Sequence, residues 1–322
     1  MIVGIDIAKL KFDAVLLLET GKEKHQTFTN NDKGHQSFKT WLEGNNALGA
    51  HVCMEATGRY GEEVALFLHT HDFKVSVINP TQIKGFARSE GVRVKTDKVD
   101  AGVIARFCRA HNPALWISPS KAHQDLRDLH RLRQNLVAYK TGFSNHMEAL
   151  KDTRASYATW KESTDFISKQ IKEIDEQIKK LIESDAVLNK NVGFLTSIPS
   201  IGQTMAVAFL SELPEMSGFK NAKEVAAYIG ITPNLRQSGT SLRGAGHITK
   251  IGNAHLRKIL FMVGLVAQKH NPQIVEFCTR LAKKGKAKMV VIVAAMRKLV
   301  HIMFGVLKNQ QNFGEHLEPV NI

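Results

Sequence analysis

Asp6 stands inside an apolar, strand-like run, Gly4-Ile5-Asp6-Ile7-Ala8-Lys9. An acid there is costly unless it is paired or binds a cation. Glu55 follows the apolar run His51-Val52-Cys53-Met54, and Asp97 and Asp100 lie in Lys95-Thr96-Asp97-Lys98-Val99-Asp100-Ala101. The i, i+3 spacing of the two aspartates puts both on one face of a helix. Four such acids brought to one side of a sheet repel one another unless a cation neutralises them. Hard oxygen ligands select Mg²⁺ or Mn²⁺. Two such ions roughly 3.5–4 Å apart can clamp a phosphodiester in in-line displacement. Taken singly, each acid has a plainer reading: Asp97 as charge at a helix N-terminus, Asp6 as a strand-end turn residue, Glu55 as a surface acid.

A second candidate is the stretch from Arg236 to Lys250, which mixes Ser238, Thr240 and Ser241 with Gly239, Gly244 and Gly246. Glycines let a backbone approach a phosphate closely. Arg236, Arg243 and Lys250 can neutralise charge developing on it. A hydroxyl here is a candidate nucleophile that needs activation. Residue types alone do not rank the three hydroxyls, and a polar DNA-contacting loop without covalent chemistry is the competing reading. No GxxxxGK[ST] phosphate loop occurs. Downstream, Arg257 and Lys258 in Lys250–Lys258 suit phosphate contacts at a helix entry. The run Lys283–Lys288 reads equally well as a solvated basic turn.

Charge supports a polyanionic partner. The 322 residues carry a net +14, and a strongly basic chain favours nucleic acid. The stretch from Arg236 to His301 holds 13 Lys or Arg and one acid, Glu276. A content of 43% hydrophobic and 23% charged residues excludes a disordered or fibrous chain. The three cysteines, Cys53, Cys108 and Cys278, lie far apart without a CxxC pair. Neither a disulfide framework nor a zinc ribbon is expected, and a reducing cytosol fits. No signal peptide and no apolar run of membrane-spanning length is expected, so the predicted location is cytoplasmic, with no membrane partner.

The elements that must position these residues follow from periodicity. Ile2–Ile7, Phe12–Leu18 and Glu23–Thr29 read as three strands. A helix with Phe38, Trp41 and Leu42 follows, then a strand at Ala50–Met54, a helix at Gly61–His69, a strand at Phe73–Ile78 closed by Asn79-Pro80, and a helix at Thr96–Arg109. This order predicts a mixed sheet begun by a meander, with helices on its faces. Leu126, Leu129, Leu132, Leu136, Tyr139, Phe143, Met147 and Leu150 step by three or four, as do Ile167, Ile171, Ile174, Ile178 and Leu181. These seams predict two long helices, paired either as a hairpin within one chain or as an intermolecular coiled coil. The last third reads as helix, turn, helix over Phe194–Leu213, a short helix Lys223–Ile229, a polar loop Thr232–Ile248, and helices near Asn253–Gln268, Ile274–Ala282 and Met289–Leu307. The predicted class is α/β plus all-α, with domains at 1–115, 116–190 and 191–322.

Strand Asp, strand-end Glu and helix Asp-x-x-Asp, in that order, is the layout of a ribonuclease-H-like nuclease core. Together with Glu55-Ala56-Thr57-Gly58, Asn79-Pro80, Ile198-Pro199-Ser200-Ile201-Gly202 and Ser238-Gly239-Thr240-Ser241-Leu242-Arg243-Gly244, the motifs resemble the IS one-ten family of insertion-sequence transposases, which includes the pilin-gene invertase type. The resemblance spans residues 1–310. It implies a RuvC-like domain whose Asp6, Glu55, Asp97 and Asp100 bind Mg²⁺, a coiled-coil linker, and a C-terminal domain whose Ser238 forms a covalent link to DNA. It also implies donor and target DNA, a structured guide (bridge) RNA, and a homo-oligomer, dimer or tetramer. Alternatives are a site-specific invertase of the same family, a metal-only Holliday-junction-type nuclease, and a non-enzymatic nucleic-acid-binding protein. In the turn at 198–202, Ser200 stands where a helix-hairpin-helix would carry Gly, so a packing role stands at least level with DNA contact there.

Overall fold

The computed structural model describes residues 1–314 apart from 57, 151, 153–154, 214–215, 235–236, 239–241 and 244–246, and describes only the backbone of Arg59, Ser217, Gln237, Ser238, Leu242 and Arg243. The chain divides into two compact units, Met1–Ser118 and Pro119–Ile322.

The first unit is a five-stranded sheet of β1 (Ile2–Ile7), β2 (Lys11–Leu17), β3 (Glu23–Thr29), β4 (His51–Glu55) and β5 (Lys74–Ile78), in the order β3-β2-β1-β4-β5. β1, β2 and β3 pair antiparallel as a meander, while β1, β4 and β5 run parallel. Its helices are α1 (Asp32–Gly44), α2 (Arg59–Thr70), α3 (Pro80–Ser89) and α4 (Asp97–His111). Side chains alternate across a sheet with period two. Val3, Ile5 and Ile7 therefore join Phe12, Phe38, Leu42, Val64 and Leu68 in one core. On the opposite face Cys53, Ile78, Ile83, Val103, Ile104 and Phe107 form a second core, with Ile2 packed against it.

The predicted order of strands and helices is observed, with α3 added. Asn79-Pro80 closes β5 and also opens this helix. The Asn79 side chain accepts from Thr81 N, and Pro80 sits in the first turn, where its fixed φ suits a helix.

Cys53 on β4 and Cys108 on α4 are joined as a disulfide, their Cα atoms 6.2 Å apart. This corrects the expectation of none. Fifty-five residues separate the two in sequence, but α4 lies over β4 and brings both into one core.

The second unit contains α5 (Lys121–Glu148), α6 (Ala155–Ser184), α7 (Ala186–Thr196), α8 (Gln203–Glu212), a 3-10 turn (Met216–Gly218), α9 (Ala222–Ile229), α10 (Ala254–His270), α11 (Pro272–Lys283) and α12 (Lys288–Asn309). Between α9 and α10 lie four two-residue strands, β6 (Pro233–Asn234), β7 (Gln237–Ser238), β8 (Leu242–Arg243) and β9 (His247–Ile248). The long helices α5 and α6 pair antiparallel within the chain: Arg133 meets Asp175, and Phe143 stacks edge-on against Trp160. Leu126, Ile174, Ile178 and Ile182 belong to the core that holds α7, α8, α10 and α12, so the helical middle is packed with the C-terminal helices. Leu132 and Tyr139 of the predicted seam stay exposed.

α12 is long and apolar enough to cross a membrane by length and composition, contrary to the reading of the sequence. Most of it is core: Val291, Ala295, Leu299, Val300, Met303 and Leu307 are buried. The turn between α7 and α8 puts Ser200 at φ 81°, the left-handed region that favours glycine.

Candidate functional site

The acids are brought together by three local rules. Period-two alternation puts Asp6 on the same face of β1 as Gly4. It also puts Glu55 on the same face of β4 as Cys53, which lies in the core under α4. The parallel register Gly4↔Cys53, Ile5↔Met54 then sets Asp6 beside Glu55 on neighbouring strands. Gly4 brings in the helix: a Cβ there would collide with the Ala101 carbonyl oxygen and the Ala105 backbone nitrogen. Only a glycine lets α4 cross β1 this closely. The Thr96 hydroxyl caps α4 by accepting from Val99 N at 3.3 Å, so the first turn, with Asp97 and Asp100, starts beside the end of β1.

Electrostatics record the convergence. Burial raises the Asp6 pKa, and the neighbouring charges of Asp100, Asp97, Glu55 and Asp13 carry it to about 6. Burial also raises Glu55, with Asp100 adding to the shift and Lys84 and Lys95 opposing it. Asp100 is raised by burial and by Asp97, against Lys95. Asp6 has no side-chain hydrogen bond among the described residues. Half-buried carboxylates that raise one another's pKa, without donors to satisfy Asp6, are oxygen ligands of the type a hard divalent cation takes, while among the described residues the group whose ligand atoms lie within 4.8 Å of one another is His51, Cys53 and Cys108.

Sequence reasoning missed a fifth acid. Asp13 on β2 lies opposite Asp6 in the antiparallel register and is buried. Its carboxylate accepts from Thr27 Oγ1 at 2.6 Å, lies 2.7 Å from His25 Nε2, and meets Lys11 Nζ at 3.3 Å. Burial alone would raise its pKa; those hydrogen bonds outweigh burial and hold it below the usual value. Lys11 Nζ also lies 2.7 Å from Asp97 Oδ2, so a fixed cation borders the acid cluster. The available signal was an acid inside the apolar run Phe12–Leu18, the same signal used for Asp6.

The serine stretch is a two-tier hairpin in the second unit. β6 pairs antiparallel with β9 through Pro233↔Ile248 and Asn234↔His247, and β7 with β8 through Gln237↔Arg243 and Ser238↔Leu242. The expected unbroken loop is thus partly laddered. Ser238 is placed by its backbone on β7; Arg236, Thr240 and Ser241 lie outside the described residues, as does the side chain of Arg243. Lys250 and Lys258 are exposed. Arg257 is half-buried and donates from Nη1 to the Ile229 carbonyl at 2.9 Å, which gives it a packing role at the hairpin base.

Below the hairpin lies a buried polar cluster with no sequence signal. Glu212 on α8 accepts from Arg131 Nε and Nη2 at 2.8 and 2.9 Å and from Asn253 Nδ2 at 3.0 Å. Burial would raise Glu212, but these donors hold its pKa below the carboxylate norm. The Tyr228 hydroxyl donates to the Glu212 carbonyl at 3.2 Å. His130, also buried, has its Nε2 3.2 Å from that of His255. Burial, then His255 and the nearby Arg133 and Arg131, lower the His130 pKa to about 4 against the pull of Glu212.

Acids at the ends of neighbouring inner strands in the first unit and a basic, hydroxyl-bearing stretch in the second fit a nucleic-acid-processing protein, and comparison with known proteins is specific. A transposase family model of the IS110 DEDD type matches residues 3–154, and the model described as transposase IS116/IS110/IS902 family matches residues 193–279. The chain is 34% identical over 318 residues to the pilin gene-inverting protein of Moraxella bovis, covering 98% of each chain, and equally to that of Moraxella lacunata. It is 23% identical to the transposase for insertion sequence element IS1111A of Coxiella burnetii, over 80% of this chain and 75% of that one. The chain belongs to the IS110 family of transposases, and DNA is its substrate.

Proposed function

We propose that this protein is the RNA-guided recombinase of an insertion sequence, cutting and exchanging DNA strands through a covalent serine–DNA intermediate. The observation that carries the reading is the convergence of Asp6, Glu55, Asp97 and Asp100, with Asp6 raised to about 6 by burial and by the other acids. The strand order β3-β2-β1-β4-β5, with a meander leading into parallel strands, supports a ribonuclease-H-like, RuvC-like assignment for the first unit. Bound by these four carboxylates, Mg²⁺ or Mn²⁺ supplies Lewis-acid activation of a scissile phosphodiester.

The chain's own part in the chemistry falls to the second unit. The Ser238 hydroxyl attacks phosphorus, its proton leaves to a base, and a serine–phosphate ester forms as the bond to one DNA oxygen breaks and leaves as a hydroxyl. The hydroxyl of another strand then displaces the serine. The number of phosphodiester bonds is conserved, and no nucleotide cofactor is consumed. Arg243, Lys250 and Lys258, with Arg236, serve phosphate contacts. A structured guide RNA and an oligomer of this chain complete the assembly, which works where the cell's DNA lies. Programmed segment inversion is the second reading, favoured by the pilin gene-inverting relatives at 34% identity.

The test is an adduct assay. Wild type, Ser238→Ala and Asp97→Ala, each purified with co-expressed flanking RNA, meet labelled junction DNA and Mg²⁺. A denaturation-resistant protein–DNA band in wild type, lost in both variants, is expected. Mg²⁺-dependent nicking that survives Ser238→Ala without any adduct would refute the serine step and leave a metal-only nuclease.

A further inference from the structure

We infer that Glu212, Arg131, Asn253 and Tyr228 form a positioning lock that fixes the base of the serine hairpin to the helical core. The inference rests on the reading of Ser238 as nucleophile. It concerns residues outside the hairpin, and outside the acid cluster.

The hairpin leaves the core after α9 and returns at α10, and its two legs are stitched together at the exit. Lys250 N donates to the Gly230 carbonyl at 3.1 Å, Thr249 N to Thr232 at 2.9 Å, and Asn253 N to Tyr228 at 2.8 Å. Gly230 caps α9 in the left-handed region at φ 79°. A Cβ on Gly252 would collide with the Tyr228 carbonyl oxygen, and one on Gly230 would sit 2.7 Å from the Ile251 carbonyl oxygen. Two glycines therefore let the legs touch backbone to backbone.

Glu212 ties this neck to the core. Glu212 takes Asn253 from the returning leg by its carboxylate and Tyr228 from the departing side by its carbonyl. Arg131 of α5 grips the same carboxylate with two parallel bonds, a geometry that fixes orientation as well as distance. Glu212 is 6% exposed, so these bonds face little competition from water. His130, next to Arg131, meets His255, the second residue of α10. Two neighbouring residues of α5 thus hold the same helix start. Ser238 rides on β7, above the β6–β9 rung that the neck supports, so the orientation of its backbone is inherited from Glu212. A nucleophile displaced by about 1 Å loses on the order of a hundredfold in rate.

Glu212→Ala removes three side-chain hydrogen bonds at once from a buried position and threatens the fold, so the informative variants are Asn253→Ser and Tyr228→Phe. Serine retains a cap for α10, where Asn253 Oδ1 now accepts from Leu256 N, and removes the amide that donates to Glu212 and also bonds the Tyr228 side chain. In the full chain, amides of Thr249, Lys250 and Asn253 should exchange with deuterium about tenfold faster in Asn253→Ser, the scale of one lost hydrogen bond to a charged acceptor, and about fivefold faster in Tyr228→Phe, which loses one to a neutral carbonyl. Exchange within α5 and α12 should stay unchanged. With junction DNA, flanking RNA and Mg²⁺, adduct formation should slow by about tenfold or more while DNA affinity stays within about twofold. Unchanged exchange at the neck overturns the lock. Faster exchange with an unchanged adduct rate overturns its role in positioning Ser238. A wild type that forms no adduct overturns the reading of Ser238 instead, and the exchange data still decide whether the lock holds the hairpin.

Discussion

Replacing Asp6 by Asn should stabilise the metal-free protein and abolish its response to Mg²⁺. The folded-state pKa of Asp6 is about 6, against 3.8 for a free aspartate. Between those values the folded state holds a proton that the unfolded state has released. Stability contributed by Asp6 is therefore full below about pH 4 and is lost as pH rises through 6. A shift of about two units corresponds to at most about 3 kcal/mol. Asp6 is only half-buried, and solvent screening reduces this to about 1–2 kcal/mol. Asparagine keeps the shape and removes the charge. At pH 8 in EDTA its unfolding transition should lie roughly 4–8 °C above wild type for a unit of about a hundred residues. The two should converge near pH 4. Millimolar Mg²⁺ should then raise the wild-type transition, because a ligand that binds only the folded state stabilises it, and should leave Asp6→Asn where it was. The assay is calorimetry of the full chain from pH 4 to 8, with EDTA and with Mg²⁺. A variant that melts below wild type at pH 8 in EDTA would refute the argument from carboxylate repulsion. An equal Mg²⁺ response in both proteins would refute the metal assignment.

Other consequences can be checked on the same preparations. The second unit should respond to acid in the opposite sense: His130 titrates near 4 when folded and 6.5 when free, so its stability is retained above pH 6.5 and about 3 kcal/mol is lost by pH 4. Urea midpoints of the second unit, followed through Trp160 fluorescence with Trp41 and Trp116 replaced by Phe, should fall over that window and flatten in His130→Asn. Ser200→Gly should raise stability by about 1 kcal/mol, because Ser200 holds φ 81° and leaves its buried hydroxyl without a partner; an unchanged urea midpoint would argue against strain at this turn. Gly4→Ala should destabilise the first unit by roughly 3 kcal/mol or more, through overpacking against the backbone of α4, and soluble variant with wild-type melting would show that α4 can shift away.

What was legible in the sequence followed from local periodicity. The alternation of Val3, Ile5 and Ile7 with Ile2, Gly4 and Asp6 fixes both the strand and the face on which its acid lies. The 4-3-4-3 spacing of Ile167 to Leu181 fixes α6 and its buried stripe. Features set by tertiary placement stayed hidden. Arg131 and Glu212 are 81 residues apart, and no local pattern marks their meeting. Cys53 and Cys108 looked isolated because only the crossing of α4 over β4 makes them neighbours. Asp13 was overlooked because the apolar residues around it dominate its strand. Of the serine stretch, the short ladders could not be foreseen, since two-residue strands carry no periodicity, and Arg236 lies outside the described residues.

The closed neck of the hairpin has a consequence for how this surface can change. Because Thr249 returns to within a hydrogen bond of Thr232, the excursion between them begins and ends at one place in the core. Residues can be added to or removed from its tip without moving α9 or α10, at a closure cost that grows by only about 0.6 kcal/mol per doubling of length. Changes of length or charge at the tip therefore leave the packing of the helices beneath untouched, and any that shift Ser238 fall on the proposed chemistry alone.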